Sequence, residues 1–155
     1  MSIYRLFLLL SMTLLLGCSP EKDHSHTGGH TDDTADEVWD VSTSLESEGG
    51  TFWVAYTTSP DPIAQSEAFS ATFVVHDAQN HDEMFMDAEV LSVDAAMPSH
   101  EHGMSVAPEV TDNGDGTFTA SPLEFMMGGH WELYAEISQG DLTEQATFHV
   151  ICCGD

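Results

Sequence analysis

Trp131-Glu132-Leu133-Tyr134-Ala135-Glu136-Ile137 alternates along its length, with apolar side chains at every second position and Glu132, Tyr134 and Glu136 between them. Successive side chains of a β-strand point to opposite faces. The stretch therefore reads as a strand that turns Trp131, Leu133, Ala135 and Ile137 toward a core. The same period recurs on either side: Phe69, Ala71, Phe73 and Val75 upstream, and Ala146, Phe148 and Val150 downstream. Thr51–Thr58, Asp87–Asp94, Val106–Thr111 and Thr117–Ser121 are further candidate strands separated by turn signals, and no long 3.6-residue periodicity competes with them. Together these runs, over Val38–Ile151, predict an all-β fold, an immunoglobulin-like β-sandwich of about seven strands. Asp112-Asn113-Gly114-Asp115-Gly116 starts like an EF-hand calcium loop, but glycine stands at its third and fifth positions, where that loop needs side-chain oxygens. It reads instead as a hairpin turn that uses glycine at positive φ.

The region before Val38 has a different composition. Met1–Arg5 carries one positive charge, and Leu6–Leu16 is an apolar run too short for the ~20 residues of a membrane-spanning helix. Residues 1–17 read as a signal peptide. Leu15-Leu16-Gly17-Cys18 resembles a bacterial lipobox, which implies that Cys18 becomes the lipid-bearing N-terminus of the mature protein. The expected location is the cell envelope, anchored to a membrane and facing away from the cytoplasm. Ser19, not Asp, follows Cys18, and by the same resemblance this favours the outer membrane in a cell that has two. Residues 18–37 hold Pro, Gly, Thr, Asp and three histidines, His24, His26 and His30, and no large apolar side chain. They read as a disordered acidic and histidine-bearing tether with a span of roughly 24 Å. The histidines are either incidental to a polar linker or a loose metal-gathering tract.

Charge narrows the partners. The 155 residues include 27 Asp and Glu against 2 Lys and Arg, a formal net charge of −25. Polyanions are repelled by such a surface, which argues against nucleic acid and anionic lipid headgroups, and cations are favoured. The chain is 41% hydrophobic, enough for residues 38–155 to bury a core.

Soft ligands gather in one window. Six of the eight methionines lie between Met84 and Met127, and the slightly wider window 81–130 adds His81, His100, His102 and His130. Thioether sulfur selects Cu(I), and imidazole suits copper or zinc. The densest segment is Met97-Pro98-Ser99-His100-Glu101-His102-Gly103-Met104. Residues spaced by two in an extended chain point the same way, roughly 6.5–7 Å apart. Curvature at Pro98 and Gly103 could then converge His100, His102 and Met104 on one ion. The bland alternative is a histidine-bearing surface loop beside a core methionine. The second segment is Phe125-Met126-Met127-Gly128-Gly129-His130-Trp131, in which one methionine can be core and the other at a site. There His130, beside a flexible glycine pair, could reach a neighbouring loop. Met84 and Met86 read as core or edge packing, and His76 and His149 as surface histidines.

Met97-Pro98-x-His100-x-His102-Gly103-Met104, then Gly116-Thr117-Phe118, then Phe125-x-Met127-x-Gly129-x-Trp131-Glu132-Leu133 resembles the YtkA-like domain, related to the FixH group. The resemblance covers roughly Phe52–Val150 and is strongest over Ala96–Leu133. It implies a small exported or membrane-anchored β-sandwich associated with copper handling and cytochrome oxidase assembly, and a metal role for His100, His102, Met104 and Met127. Three positions depart from the family pattern: Glu101 where Gly is common, Gly128 where Pro is frequent, and His130 where a basic residue is common. The last adds a potential ligand, and the first a hard oxygen donor.

Cys152 and Cys153 are adjacent, with Cα atoms about 3.8 Å apart, below the usual disulfide range. A vicinal disulfide, an intermolecular bridge and a pair of thiolate ligands all remain open for them. The chain contains no nucleophile elbow, phosphate-binding glycine loop, HExxH or CxxC, so an enzyme is not expected. The expected function is an extracytoplasmic lipid-anchored copper-binding protein, a chaperone or store favouring Cu(I), with Met97, His100, His102, Met104, Met127 and His130 as candidate ligands. It would hand copper to an accepting protein. The alternatives are a non-metal interaction module and a redox protein using Cys152 and Cys153.

Overall fold

The structure, a computed structural model, describes residues 39–153. The signal peptide, the Cys18 lipidation site and the tether histidines lie outside the described residues. Ten strands form two antiparallel sheets. The six-stranded sheet runs in the order β1 (Ser44–Glu46), β2 (Phe52–Ser59), β3 (Ala68–Asp77), β8 (Thr117–Glu124) and β7 (Glu109–Asp112), with β4 (Asn80–Met84) also paired to β3. The four-stranded sheet runs β10 (Leu142–Cys152), β9 (Gly129–Gln139), β5 (Glu89–Met97), β6 (His102–Gly103).

The period-two rows face one another across the interior. Phe52, Val54 and Tyr56 of β2 and Phe69, Ala71, Phe73 and Val75 of β3 meet Val93, Ala95 and Met97 of β5, Trp131, Leu133, Ala135 and Ile137 of β9, and Ala146, Phe148 and Val150 of β10. Aromatic pairs join the two sheets: Tyr56 packs edge-on against Phe148 at 4.8 Å between ring centroids, and Phe125 stacks on Trp131 at 4.5 Å. Each such side chain contributes about 1.5–3 kcal/mol through burial alone. At one edge the Glu48 N–H donates to the Gln145 carbonyl at 2.8 Å. Nearby the Glu144 carboxylate accepts hydrogen bonds from the Ser47 and Thr51 hydroxyls and the Thr51 N–H, which ties the β1–β2 turn to β10. The Asp112–Gly116 stretch is the expected turn, between β7 and β8, with Gly114 and Gly116 at φ of 78° and 84°.

The sandwich architecture agrees with the sequence reading, and the strand count differs. Seven strands have five residues or more; the other three, β1, β6 and β7, have two to four. Segments that short carry too few alternations to register as a pattern. β5 also begins two residues later than Asp87 and continues to Met97, so the anticipated extended 97–104 loop begins on a strand. Pro98–His100 then forms a single 3-10 turn, Glu101 adopts the left-handed conformation at φ 54°, and the chain reverses into β6.

Candidate metal centre

That reversal separates the residues of the 97–104 segment. Met97 and His102 are register partners of β5 and β6, so both side chains leave the sheet on its inner side. Met97 lies deeper and is 2% exposed, part of the core. Met104 packs partly buried against the same core. His102 sits at the rim, edge-on to the Trp131 indole at 5.6 Å. His100, on the 3-10 turn, is exposed, with its ring centroid 6.0 Å from that of His102.

Met127 reaches the rim from the other side of Trp131. Phe125 is fully buried, and the chain then surfaces with both Met126 and Met127 exposed, so neither methionine is core. The Trp131 Nε1–H donates to the Met127 carbonyl at 2.9 Å and fixes that backbone. The thioether sulfur of Met127 then lies 3.4 Å from His102 Nε2. The other imidazole nitrogen, Nδ1, is 3.2 Å from the Gly103 carbonyl. A carbonyl can only accept, so in the tautomer that keeps its proton on Nδ1 for Gly103, Nε2 presents its lone pair to the thioether. Two soft or borderline donors thus face each other at an accessible rim.

His130 joins a different group. It stands one residue before Trp131 on β9 and projects from the opposite, solvent face. His130 Nε2 and His149 Nδ1 are 2.9 Å apart, and His149 Nδ1 is 3.9 Å from Glu132 Oε1. The ligand atoms of His130, Glu132 and His149 all lie within 4.8 Å of one another. The Tyr134 hydroxyl donates to the second Glu132 oxygen. Burial pushes the Tyr134 hydroxyl up to about 12, helped by that hydrogen bond and by the negative charges of Glu132 and Asp94, so it remains a donor at neutral pH. Trp39 stacks on His130 with ring centroids 3.8 Å apart and planes 5° from parallel, and it also lies 4.9 Å from His149.

The remaining candidates fall elsewhere. Met84 and Met86 meet over Gly116 in the β7–β8 turn. His76 is half-buried, and its Nδ1 is enclosed without a hydrogen-bond partner. Cys152 and Cys153 form a vicinal disulfide, the first of the three options their adjacency leaves open. A cleft of about 440 Å3 is lined by Tyr56, Asp61, Ile63, Ile151 and Cys153 among others, and it includes none of the histidines or methionines discussed above.

The YtkA-like family model matches residues 46–136, a span that contains His100, His102, Met104, Met127 and His130 and stops short of His149. A solved structure with partial similarity is the copper-bound variant of FetP from uropathogenic Escherichia coli strain F11. It is 8% identical, with a TM-score of 0.49, and the match covers 75% of this chain and 97% of that one. No curated protein matches the chain.

Proposed function

The chain belongs to the YtkA-like family, and from that premise we propose that it binds copper as cargo, in the Cu(I) state, at the rim pair His102 and Met127. The observation that carries this reading is the 3.4 Å approach of His102 Nε2 to the Met127 sulfur. In the tautomer with the proton on Nδ1, two lone-pair donors face each other, and a soft cation supplies what that pair lacks. Thioether sulfur is the protein donor with the clearest preference for Cu(I) among those near the rim, and imidazole accepts the same ion. His100 is the third donor in this reading. Two imidazoles on one ion, with metal–nitrogen bonds of ~2.0–2.1 Å, bring their ring centroids to about 5 Å. The 6.0 Å between His100 and His102 therefore closes with a modest rotation of an exposed side chain.

Exposure of the donors suits exchange. A partner can displace one ligand at a time at an open rim, whereas a fully enclosed site would have to unfold locally. The acidic surface concentrates cations around it. In this proposal the protein works outside the cytoplasm, held to a membrane, the outer one where there are two, by lipid on Cys18. It stores copper or passes it to an accepting protein, with cytochrome oxidase assembly as the destination that the family association suggests. It acts by binding and exchange, not by catalysis.

The test is titration of the purified chain with Cu(I) against a chromogenic chelator, beside His100→Ala/His102→Ala and Met127→Leu variants. Leu conserves the volume of an exposed methionine, with a stability cost below about 1.5 kcal/mol. One tight equivalent, weakened at least tenfold in either variant, supports the rim site. Affinity unchanged in both variants removes it, and no binding by the parent chain leaves the interaction module as the reading.

A further inference from the structure

We infer that His130, Glu132 and His149 form a second metal site, on the solvent face of the four-stranded sheet, for a divalent ion of borderline softness: Zn(II) or Cu(II). The inference is independent of the Cu(I) reading. It stands on residues that project from the opposite face of β9 to Trp131, and one of them, His149, lies beyond the matched family region.

The donor set is two imidazoles and one carboxylate. Such a set suits zinc and divalent copper and lacks the sulfur that would favour Cu(I). The register places it firmly. Glu132 and His149 are direct partners in the β9–β10 ladder, and His130 lies diagonally across from His149 on the same face. His130 Nε2 and His149 Nδ1 are 2.9 Å apart. Ligand atoms of a tetrahedral centre with ~2.0–2.1 Å bonds lie roughly 3.3 Å from one another, so the two rings must separate by only a few tenths of an ångström. One of the two nitrogens donates the hydrogen bond between them, and both can offer lone pairs to a dication once the donating ring carries its proton on its other nitrogen.

The surroundings resemble those that orient metal ligands. Tyr134 holds one oxygen of Glu132 and leaves the other directed at His149, the kind of outer contact that fixes a ligating carboxylate. Trp39 lies flat on the His130 ring and beside His149, an apolar cover that limits water at the imidazoles. Asp94, the cross-strand partner of Tyr134, adds negative charge on the same face. The three ligands leave a fourth position to water or to a group from a partner.

The test uses Zn(II) and the full-length chain. Calorimetric titration is done with excess Mg(II), which occupies the scattered carboxylates that bind dications weakly. The parent chain is compared with His149→Ala, with His130→Ala/His149→Ala and with Trp39→Phe. The site predicts one equivalent of Zn(II) bound at least tenfold more weakly by His149→Ala, and a change in tryptophan emission that disappears in Trp39→Phe. A parallel titration with Cu(II), read by its electron paramagnetic spectrum, should show nitrogen coupling in the parent chain and lose it in the double variant. Thermal unfolding midpoints verify that each variant is folded. Zn(II) affinity equal in the parent and the double variant, with both folded, overturns the site. Because Cu(I) capture at His102 and Met127 is measured separately, neither result depends on the other.

Discussion

Replacing Trp131 by Phe should weaken both the fold and the proposed copper rim, by amounts that can be worked separately. The indole is fully buried, stacked on Phe125 at 4.5 Å, and its N–H is bonded to the Met127 carbonyl at 2.9 Å. Phe is about 40 Å3 smaller, and at roughly 24 cal/mol per Å3 a void left open costs about 1 kcal/mol, with a similar loss of transfer energy. Loss of the hydrogen bond adds about 0.5–1.5 kcal/mol. The total is about 2.5–3.5 kcal/mol, a large part of the 5–15 kcal/mol that holds a typical domain. With a urea slope of ~1–3 kcal/mol/M, the unfolding midpoint should fall by about 1–3 M at unchanged slope. Phe keeps an aromatic ring beside His102, so the effect on copper comes mainly through Met127. Freeing one backbone residue returns roughly 1–2 kcal/mol of conformational entropy that binding must then offset, so the Cu(I) Kd should rise about 5–30-fold. Trp131 is a positioning residue for Met127, so most of its effect on Kd should vanish in a Met127→Leu background, where there is no sulfur left to place. An undiminished midpoint would refute the packing estimate. A lowered midpoint with unchanged Cu(I) affinity, or equal losses in both backgrounds, would refute the positioning role.

Two further outcomes follow from the core and from the β1–β2 turn. Met97→Leu should shift stability by less than about 1.5 kcal/mol and leave the Cu(I) Kd unchanged in the chelator competition, because Met97 is 2% exposed and packs in the core; a tenfold loss of affinity would return Met97 to the ligand set. For Glu144, burial raises the carboxyl pKa, but hydrogen bonds from Ser47, Thr51 and Gly49 outweigh it and hold the group below its ordinary 4.5. A depressed folded-state value stabilises the fold above pH 4.5 and ceases to do so as pH falls through that lowered value. Glu144→Gln should therefore cost about 1–2 kcal/mol at pH 7, allowing for partial exposure, and the gap to the parent should narrow as pH falls below 4.5. A gap that stays constant in urea melts at pH 7 and pH 3 would contradict this.

The sequence disclosed the sandwich because its long strands alternate without interruption. The rows Phe69–Val75 and Trp131–Ile137 each bury one face completely, and only a period of two does that. The edge strands were silent, since β6 is only His102 and Gly103. At the rim, the clustering of Met and His was visible, but the convergence of His102 with Met127 was not. It depends on a left-handed Glu101 that reverses the chain and on an indole N–H that holds a carbonyl four residues back. Spacing by two promised His100 and His102 on one face, and the 3-10 turn at Pro98 broke that pattern. His149 looked like an ordinary surface histidine, although a signal for its partners was present. The Gly140-Asp141 turn sets Gln139 opposite Leu142, and counting back in step puts Glu132 opposite His149. What could not be counted was the arrival of Trp39 over the pair, a contact 91 residues distant in sequence from His130.

The unequal depth of Met97 and Met127 also sets how the protein ages under oxidants. A thioether converted to sulfoxide becomes polar and ceases to be a soft donor. Met127, 38% exposed, is within reach of peroxide, and Met97, at 2%, is shielded by the core. Chemical wear therefore reaches the rim sulfur before the core one, and the proposed soft-ion pair would lose its thioether while Met97 still packs the interior.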